Sequence, residues 1–169
     1  ERPADGPPVV DVDRGGRLAW HGPGQLVGYP VIKLAGSLDI NRYVWLLEET
    51  LIQVCADFGV TAGRLPGRGG VWVPGDPASG RPDRGLGSVG IRVTQGVTMH
   101  GFALNCANDL SWYQRIIPEG TTDVGVTSLS AETGRRITVD EVTPVAEKRL
   151  AGALGAELVD MQEEDLLPL

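Results

Sequence analysis

The chain has 169 residues, of which 41% are hydrophobic, and its formal net charge is −7. This length is enough for one domain with a buried core and too short to expect two. No apolar run reaches the roughly 18 residues that a membrane-spanning helix needs, and the acidic balance argues against general nucleic-acid binding.

Cysteine and charge usage indicate the compartment and the surface. Cys55 and Cys106 are too few for a disulfide framework, which predicts a cytoplasmic protein. Residues 64–92 contain five arginines but only two aspartates. This basic segment could bind an acidic partner or be ordinary solvent-exposed surface. Residues 156–169 carry only acidic charges, and we expect a solvated acidic tail there.

The first predicted element is a strand over residues 26–34, "LVGYPVIKL". Pro30 cannot donate a ladder hydrogen bond, so this strand is expected at an edge or a bulge.

A helix is predicted over residues 38–58, with Ser37 or Asp39 as its cap and Gly59 at its end. Apolar residues recur at helical spacing along this segment, and polar residues lie largely opposite. The predicted buried stripe consists of Ile40, Tyr43, Val44, Leu47, Leu51, Val54, Cys55 and Phe58. The predicted solvent face consists of Asn41, Arg42, Glu48, Glu49 and Asp57.

The middle of the chain changes to strand patterns. Short β-branched or alternating runs at 70–73, 86–93 and 97–106 are separated by Gly, Pro, Asp and Gln-Gly turns, with a surface loop over 73–85. A second helix follows "TVDE" at 138–141, which fits a capping box, and it tolerates Pro144 only near its start. The predicted fold is therefore α/β of the α+β type: one domain over 1–169 with a mixed sheet and flanking helices.

Three glycine-punctuated segments are candidates for a ligand site. "DRGGRLAWHGPGQ" holds His21 beside a rigid Gly-Pro-Gly turn, "GSVG" places Ser88 between glycines, and "MHGFALN" holds His100, the only other histidine. Glycines let a ligand lie close to the main chain, although a Gly-rich turn with a capping histidine would look the same. We expect the three segments to line one cleft. The sequence has no metal-ligand spacing and no phosphate-binding loop, so neither a metal nor a cofactor is expected.

These segments, together with "NDL", "IIPEG" and "GVTSL", resemble the lipoyl(octanoyl) transferase family over residues 9–145. The resemblance implies the biotin/lipoate protein ligase fold. It also implies a monomeric acyltransferase of lipoate biosynthesis, which moves an octanoyl group from acyl carrier protein to a lysine of lipoyl domains. Those domains belong to 2-oxoacid dehydrogenase or glycine cleavage proteins, and neither membrane nor nucleic acid takes part. The double-arginine adenylation motif of lipoate ligases is not visible, so ATP is not expected.

The resemblance also implies a set of substrate-binding residues, with a possible further role for His100. The set is Arg14, Gly15, Gly16, Arg17, Leu18, Ala19, Trp20, His21, Ser88, Val89, Gly90, Gly101, Phe102 and Ala103.

Both catalytic positions of the family depart from its pattern. The family forms a thioester on a cysteine, and a nearby lysine stabilises the thiolate; here the two positions hold Glu119 and Gly85. Members also carry a segment before the Arg-Gly-Gly motif, and this chain is expected to start after it. Two interpretations stay open: an acyltransferase with altered chemistry, or a non-catalytic protein that binds acyl groups or the carrier protein.

Overall fold

A single sheet organises the molecule, and the computed structural model describes residues 8–16, 18–34, 39–116 and 124–161 of it. Its strands run in the order β1-β5-β4-β3-β2, antiparallel throughout, and β6 pairs with β4 in parallel. The sheet is therefore mixed, as predicted. The strands are β1 (Gln25–Gly28), β2 (Gly63–Leu65), β3 (Arg68–Val73), β4 (Arg84–Thr94), β5 (Val97–Asn105) and β6 (Gly125–Val126).

The long hairpin of β4 and β5 forms the centre of the sheet. Its turn is Gln95-Gly96, and both residues have positive φ, 51° and 78°. Such a turn matches the right-handed twist of the two strands, and glycine adopts it without a steric penalty. The predicted strands at 86–93 and 97–106 are confirmed, and they are nearly one continuous ribbon.

Helix α1 (Ile40–Asp57) packs on the sheet as the periodicity predicts. Asp39 is its N-cap and accepts a hydrogen bond from the backbone of Asn41, while Gly59 follows its end with φ +78°. Ser37, the alternative cap, lies outside the described residues. The core joins the buried face of α1 to the sheet, and its fully buried members include Tyr43, Leu47, Leu51, Val54, Val71, Leu86 and Leu104.

Two assignments on α1 were wrong. Ile40, expected in the buried stripe, is 52% exposed because it starts the helix. Glu48, expected on the solvent face, is only 7% exposed. Its Oε1 accepts from the backbone N–H of Gly70 at 2.8 Å, and its Oε2 accepts from Arg64 Nε at 3.0 Å. These hydrogen bonds satisfy the buried carboxylate, which the helical period alone could not show.

The longer of two C-terminal helices packs against α1. Short helix α2 (Leu129–Thr133) precedes α3 (Val139–Leu154). The capping box is confirmed, since Thr138 and Glu141 bond each other's backbone N–H groups. Pro144 lies in the second turn of α3, and Arg149 forms two hydrogen bonds with Asp57 at the end of α1.

The predicted strand at 26–34 is much shorter than expected. Of the predicted segment only the first part, β1, forms a regular ladder with β5, and it lies at the sheet edge, as Pro30 requires. The chain then leaves the ladder, and pairing resumes at an isolated bridge between Lys33 and Val97. Within the described residues, no helix is both long and apolar enough to cross a bilayer.

Candidate functional site

Two neighbouring cavities lie along β4 and β5. The aromatic cavity, about 540 Å³, is bounded by Trp20, Trp72 and Tyr113 together with Gln25, Gly85 and Asn105. The glycine groove, about 600 Å³, is bounded by Arg14, Gly16 and His21 on one side and by Ser88–Gly90 and His100–Ala103 on the other. Leu18, Ala19, Ser88 and Ala103 border both, so the two cavities adjoin along a shared wall.

The three segments singled out in the sequence meet at the glycine groove. Two of the predicted binding residues lie elsewhere: Trp20 faces the aromatic cavity, and Gly15 lies against β4, where its N–H donates to the carbonyl of Ile91 at 2.9 Å. Arg17 is outside the described residues. The remaining predicted residues border the groove, which is the arrangement expected of a single cleft.

Glycines along the groove serve the packing of the main chain. A Cβ on Gly90 would lie 2.8 Å from the carbonyl oxygen of Gly15, and one on Gly101 would collide with the carbonyl of Gly28. The close neighbour of each glycine is thus another stretch of backbone. These positions were expected to be glycine so that a ligand could approach the main chain. They border the groove, but it is the neighbouring backbone that leaves no room for a side chain there.

His100 fixes one wall of the groove. It has φ +59°, unusual for a residue with a side chain, and its Nε2 lies 2.9 Å from Asp13 Oδ1. Arg92 holds the other oxygen of Asp13 at 2.7 Å. The hydrogen bond from His100 and the charge of Arg92 lower the pKa of Asp13. Together these contacts tie the segment before Arg14 to β4 and β5.

A buried polar cluster lies where the aromatic cavity meets the core. Asn105 Oδ1 accepts from Gln25 Nε2 at 2.9 Å, from the Tyr113 hydroxyl at 3.0 Å and from Asn108 Nδ2 at 3.1 Å. Gln25 and Asn105 are only 8% and 4% exposed. Burial raises the pKa of Tyr113 despite its hydrogen bonds to Asn105 and Gln25, so the phenol is neutral at physiological pH.

Three members of the site were not predicted from the sequence: Gln25, Asn105 and Tyr113. Gln25 and Asn105 are amides at the ends of otherwise apolar strand segments, and that signal could have marked them. Tyr113 lies in the 3-10 helix Leu110–Arg115 and carried no such signal.

Aromatic rings form the walls of the cavity. Trp20 stacks on Trp112 with ring centroids 6.4 Å apart and meets Tyr113 edge-on at 5.5 Å. Across the cavity Trp72 lies over Gly85, whose missing Cβ would be 3.5 Å from the ring. That distance is an ordinary van der Waals contact, and β4 has no positive φ at Gly85. A lysine at position 85 would therefore fit without backbone strain, beside the cavity.

Arg84 does not replace the family's lysine. Its guanidinium forms two hydrogen bonds with Glu132, at 2.9 and 3.0 Å, and only 9% of the residue is exposed. Burial raises the pKa of Glu132, but the hydrogen bonds from Arg84 and Thr127 outweigh it and the net shift is downward. The arginine next to Gly85 is thus committed to a structural ion pair.

Neither cysteine is a candidate nucleophile. Cys55 and Cys106 are free and fully buried, and neither borders the two cavities. Burial raises the pKa of Cys55 to about 12, with Cys106 adding to the effect, and burial raises that of Cys106 to about 11. Both thiols are therefore protonated and unreactive at neutral pH. Glu119, at the family's cysteine position, lies outside the described residues. Among those described, no three His, Cys, Asp or Glu side chains are grouped to hold a metal.

Comparison with known proteins decides the family. Residues 2–151 match the family model of the lipoyl protein ligase A/B catalytic domain. An octanoyltransferase of Mycobacterium sp. (strain KMS) is 58% identical over 158 residues, which cover 94% of this chain and 66% of the relative. One of Salinispora arenicola is 55% identical over 156 residues, or 92% of this chain and 72% of the relative. The chain belongs to the octanoyltransferase family. It spans about two thirds of the length of the Mycobacterium relative.

Solved structures confirm the fold of this octanoyltransferase-family chain. A bipartite lipoate protein ligase from Thermoplasma acidophilum, studied with its E2 lipoyl domain, superposes with a TM-score of 0.65 at 16% identity, over 90% of this chain and 60% of that one. Lipoate-protein ligase A bound with ATP gives a TM-score of 0.64 at 15% identity, over 90% and 62%. Biotin protein ligase from Aquifex aeolicus gives 0.53 at 18% identity, over 78% and 53%. At these identities the likeness shows the shared fold, which confirms the fold expected from the sequence.

Proposed function

We propose that this chain takes part in octanoyl transfer from acyl carrier protein to a lysine of a lipoyl domain. The observation that carries the proposal is the pair of adjoining cavities on β4 and β5. The groove presents Val89 and Phe102 beside polar side chains, and the aromatic cavity presents ring faces beside amide and hydroxyl groups. Together they offer an acyl thioester apolar surface for its chain and hydrogen-bonding groups for its reacting end.

The acyl chain is best placed in the glycine groove, with its carbonyl at the wall that the groove shares with the aromatic cavity. Gly85, which matches the family's lysine, borders the aromatic cavity, so the reacting end belongs on that side. The polar side chains of Gln25, Asn105 and Tyr113 border the same cavity. Each methylene that the groove removes from water contributes about 0.8 kcal/mol to binding. The predicted binding residues of the groove, with the aromatic cavity added, thus form the acyl site of this proposal.

The donor and the acceptor are proposed by family. Acyl carrier protein supplies the octanoyl thioester, and a lipoyl domain of a 2-oxoacid dehydrogenase or glycine cleavage protein supplies the lysine. A thioester is already activated, so the reaction needs neither ATP nor a metal ion. We place it in the cytoplasm, where the free Cys55 and Cys106 would stay reduced, and we propose a monomer as the acting form.

Transfer by this chain is proposed to be direct, from the carrier thioester to the lysine amine. The family's thioester intermediate needs an exposed thiolate with a cation beside it. Here Gly85 offers no cation, and both thiols are buried away from the cavities. We therefore expect turnover far below that of a relative that has the cysteine and the lysine.

Intact-mass spectrometry tests the proposal. The chain is incubated with octanoyl-acyl carrier protein and an unmodified lipoyl domain, and all three masses are followed over time. The expected result is a lipoyl domain heavier by one octanoyl group, faster than without the chain, and no octanoyl adduct on the chain itself. A lipoyl domain with arginine at the acceptor position is the matched control. Binding of octanoyl-carrier protein without any transfer would overturn the proposal and establish the non-catalytic alternative.

A further inference from the structure

A chain of hydrogen bonds leads from the core to His21, and its direction is fixed at one end. The backbone carbonyl of Thr127 can only accept, and Asn105 Nδ2 lies 2.9 Å from it. This contact sets the orientation of the Asn105 amide, so Oδ1 points the other way. The atom opposite that oxygen must be a donor, and Gln25 Nε2 lies there at 2.9 Å. The Gln25 amide is thereby oriented as well.

The last step of the chain fixes the imidazole of His21. With its nitrogen committed to Asn105 and to the Tyr113 hydroxyl, Gln25 presents Oε1 to His21 Nδ1 at 2.8 Å. Since Oε1 can only accept, Nδ1 must carry the hydrogen. In the neutral imidazole the other nitrogen, Nε2, then holds a lone pair. Nε2 has no hydrogen-bond partner within the described part of the chain, and His21 borders the glycine groove.

We propose that this hydrogen-bond chain makes His21 the proton acceptor of direct octanoyl transfer, with Gln25 as the residue that positions it. The inference rests on the proposed function, to which it adds a reaction step. Gln25 is nine-tenths buried beside the aromatic cavity, whereas His21 is exposed at the groove. The pair therefore connects the rigid polar cluster to the cleft in which the thioester would lie.

The step balances without any further reactant. The nitrogen of the acceptor lysine attacks the thioester carbonyl carbon, so a C–N bond forms as the C–S bond breaks. The proton that leaves the attacking nitrogen passes to His21 Nε2. The departing pantetheine thiolate then takes that proton from the imidazolium, which leaves an amide, a free thiol and neutral His21. Proton transfer of this kind contributes about 100-fold or more to the rate of an enzymatic step.

The tautomer can be measured directly, because the chain has only two histidines. Nitrogen-15 NMR of histidine-labelled protein at about pH 8.5, where an ordinary imidazole is neutral, distinguishes Nδ1–H from Nε2–H. The expected result is Nδ1–H for His21, lost in Gln25→Leu and kept in Gln53→Leu. Gln53 is an exposed glutamine on α1, so it controls for the loss of an amide. An Nε2–H tautomer in the unmodified protein would overturn the inference, even if Gln25→Leu fails to fold.

Kinetics test the role of the lone pair. His21→Asn keeps a donor for Gln25 Oε1 and removes Nε2, so the melting temperature should hold while kcat falls about 100-fold, a larger change than that in the KM for octanoyl-carrier protein. Unchanged kcat in His21→Asn, beside measurable transfer by the parent, would refute the proton-acceptor role and leave the proposed function intact. Absence of transfer by the parent would refute both, and the NMR result would then show only that the hydrogen-bond chain exists.

Discussion

Replacing Glu48 by glutamine isolates the energetic value of a buried carboxylate, and Glu49 provides a matched control. Both side chains bond to Arg64 at 3.0 Å, but 10% of the Glu48 side chain is exposed against 32% of Glu49. Glu48 also accepts from the N–H of Gly70. Glu48→Gln removes the negative charge that strengthens both hydrogen bonds. The amide NH2 group of the glutamine would then face one of the two donors instead of an oxygen.

The expected losses of unfolding free energy follow from the different burial of Glu48 and Glu49. A charge-assisted hydrogen bond is worth about 1.5–3 kcal/mol, so Glu48→Gln should lower the free energy of unfolding by about 2 kcal/mol. Glu48→Leu leaves the buried N–H of Gly70 unpaired and should cost about 3–5 kcal/mol. Glu49→Gln should cost less than about 1 kcal/mol, because exposed ion pairs are weak. For a domain of this size, each kcal/mol corresponds to roughly 2–4 °C in melting temperature.

Urea denaturation followed by circular dichroism measures all three variants. The urea midpoint should be highest for Glu49→Gln, lower for Glu48→Gln and lowest for Glu48→Leu, and the slopes should be unchanged. Equal losses for Glu48→Gln and Glu49→Gln would contradict the reasoning, because burial would then have no influence on the value of the contact.

The remaining predictions concern pH, thiol reactivity and restored catalysis. The pKa of Glu132 is lowered below its ordinary value of 4.5, so the stability that this carboxylate contributes is present above that value and is lost as pH falls through the lower folded pKa. The loss of unfolding free energy between about pH 6 and pH 3.5 should therefore be smaller in Glu132→Gln than in the parent. An equal loss in the two proteins would contradict this. Cys55 and Cys106 should react with a thiol-specific chromogenic reagent only after denaturation, since their pKa values lie near 12 and 11; fast labelling of the native protein would show the burial to be wrong. Glu119→Cys combined with Gly85→Lys should raise octanoyl transfer more than the two single changes together, because thiolate and cation act as a unit. Additive single effects in the same assay would show that the two positions do not cooperate.

Local rules predicted the elements whose causes are local. The period of α1, the capping box at Thr138 and the hairpin turn at Gln95-Gly96 all depend on neighbours within a few residues. Each is formed as the sequence indicated. The strand at 26–34 was overestimated because composition does not show where Pro30 interrupts the pairing.

The parts of the site that sequence reasoning missed depend on distant partners. Gln25 bonds to Asn105 and Tyr113, which lie 80 and 88 positions away. Glu48 is buried only because Gly70 and Arg64, 22 and 16 positions later, supply its donors. The sequence pattern shows the residue types but not which distant residues come into contact. The meeting of three glycine segments was predictable because they share a composition, whereas the polar cluster has no common pattern.

Placement of the acyl chain is the central claim, and photolabelling tests it most directly. The probe is an octanoyl thioester of acyl carrier protein that carries a diazirine at the end of its acyl chain. The complex with the probe is illuminated, and the labelled peptides are identified by mass spectrometry. We expect label in peptides that contain Val89 and Phe102, on the walls of the glycine groove. Competition by unlabelled octanoyl-carrier protein should remove it. Label confined to the outer surface, for example around the exposed Trp45 of α1, would contradict the account.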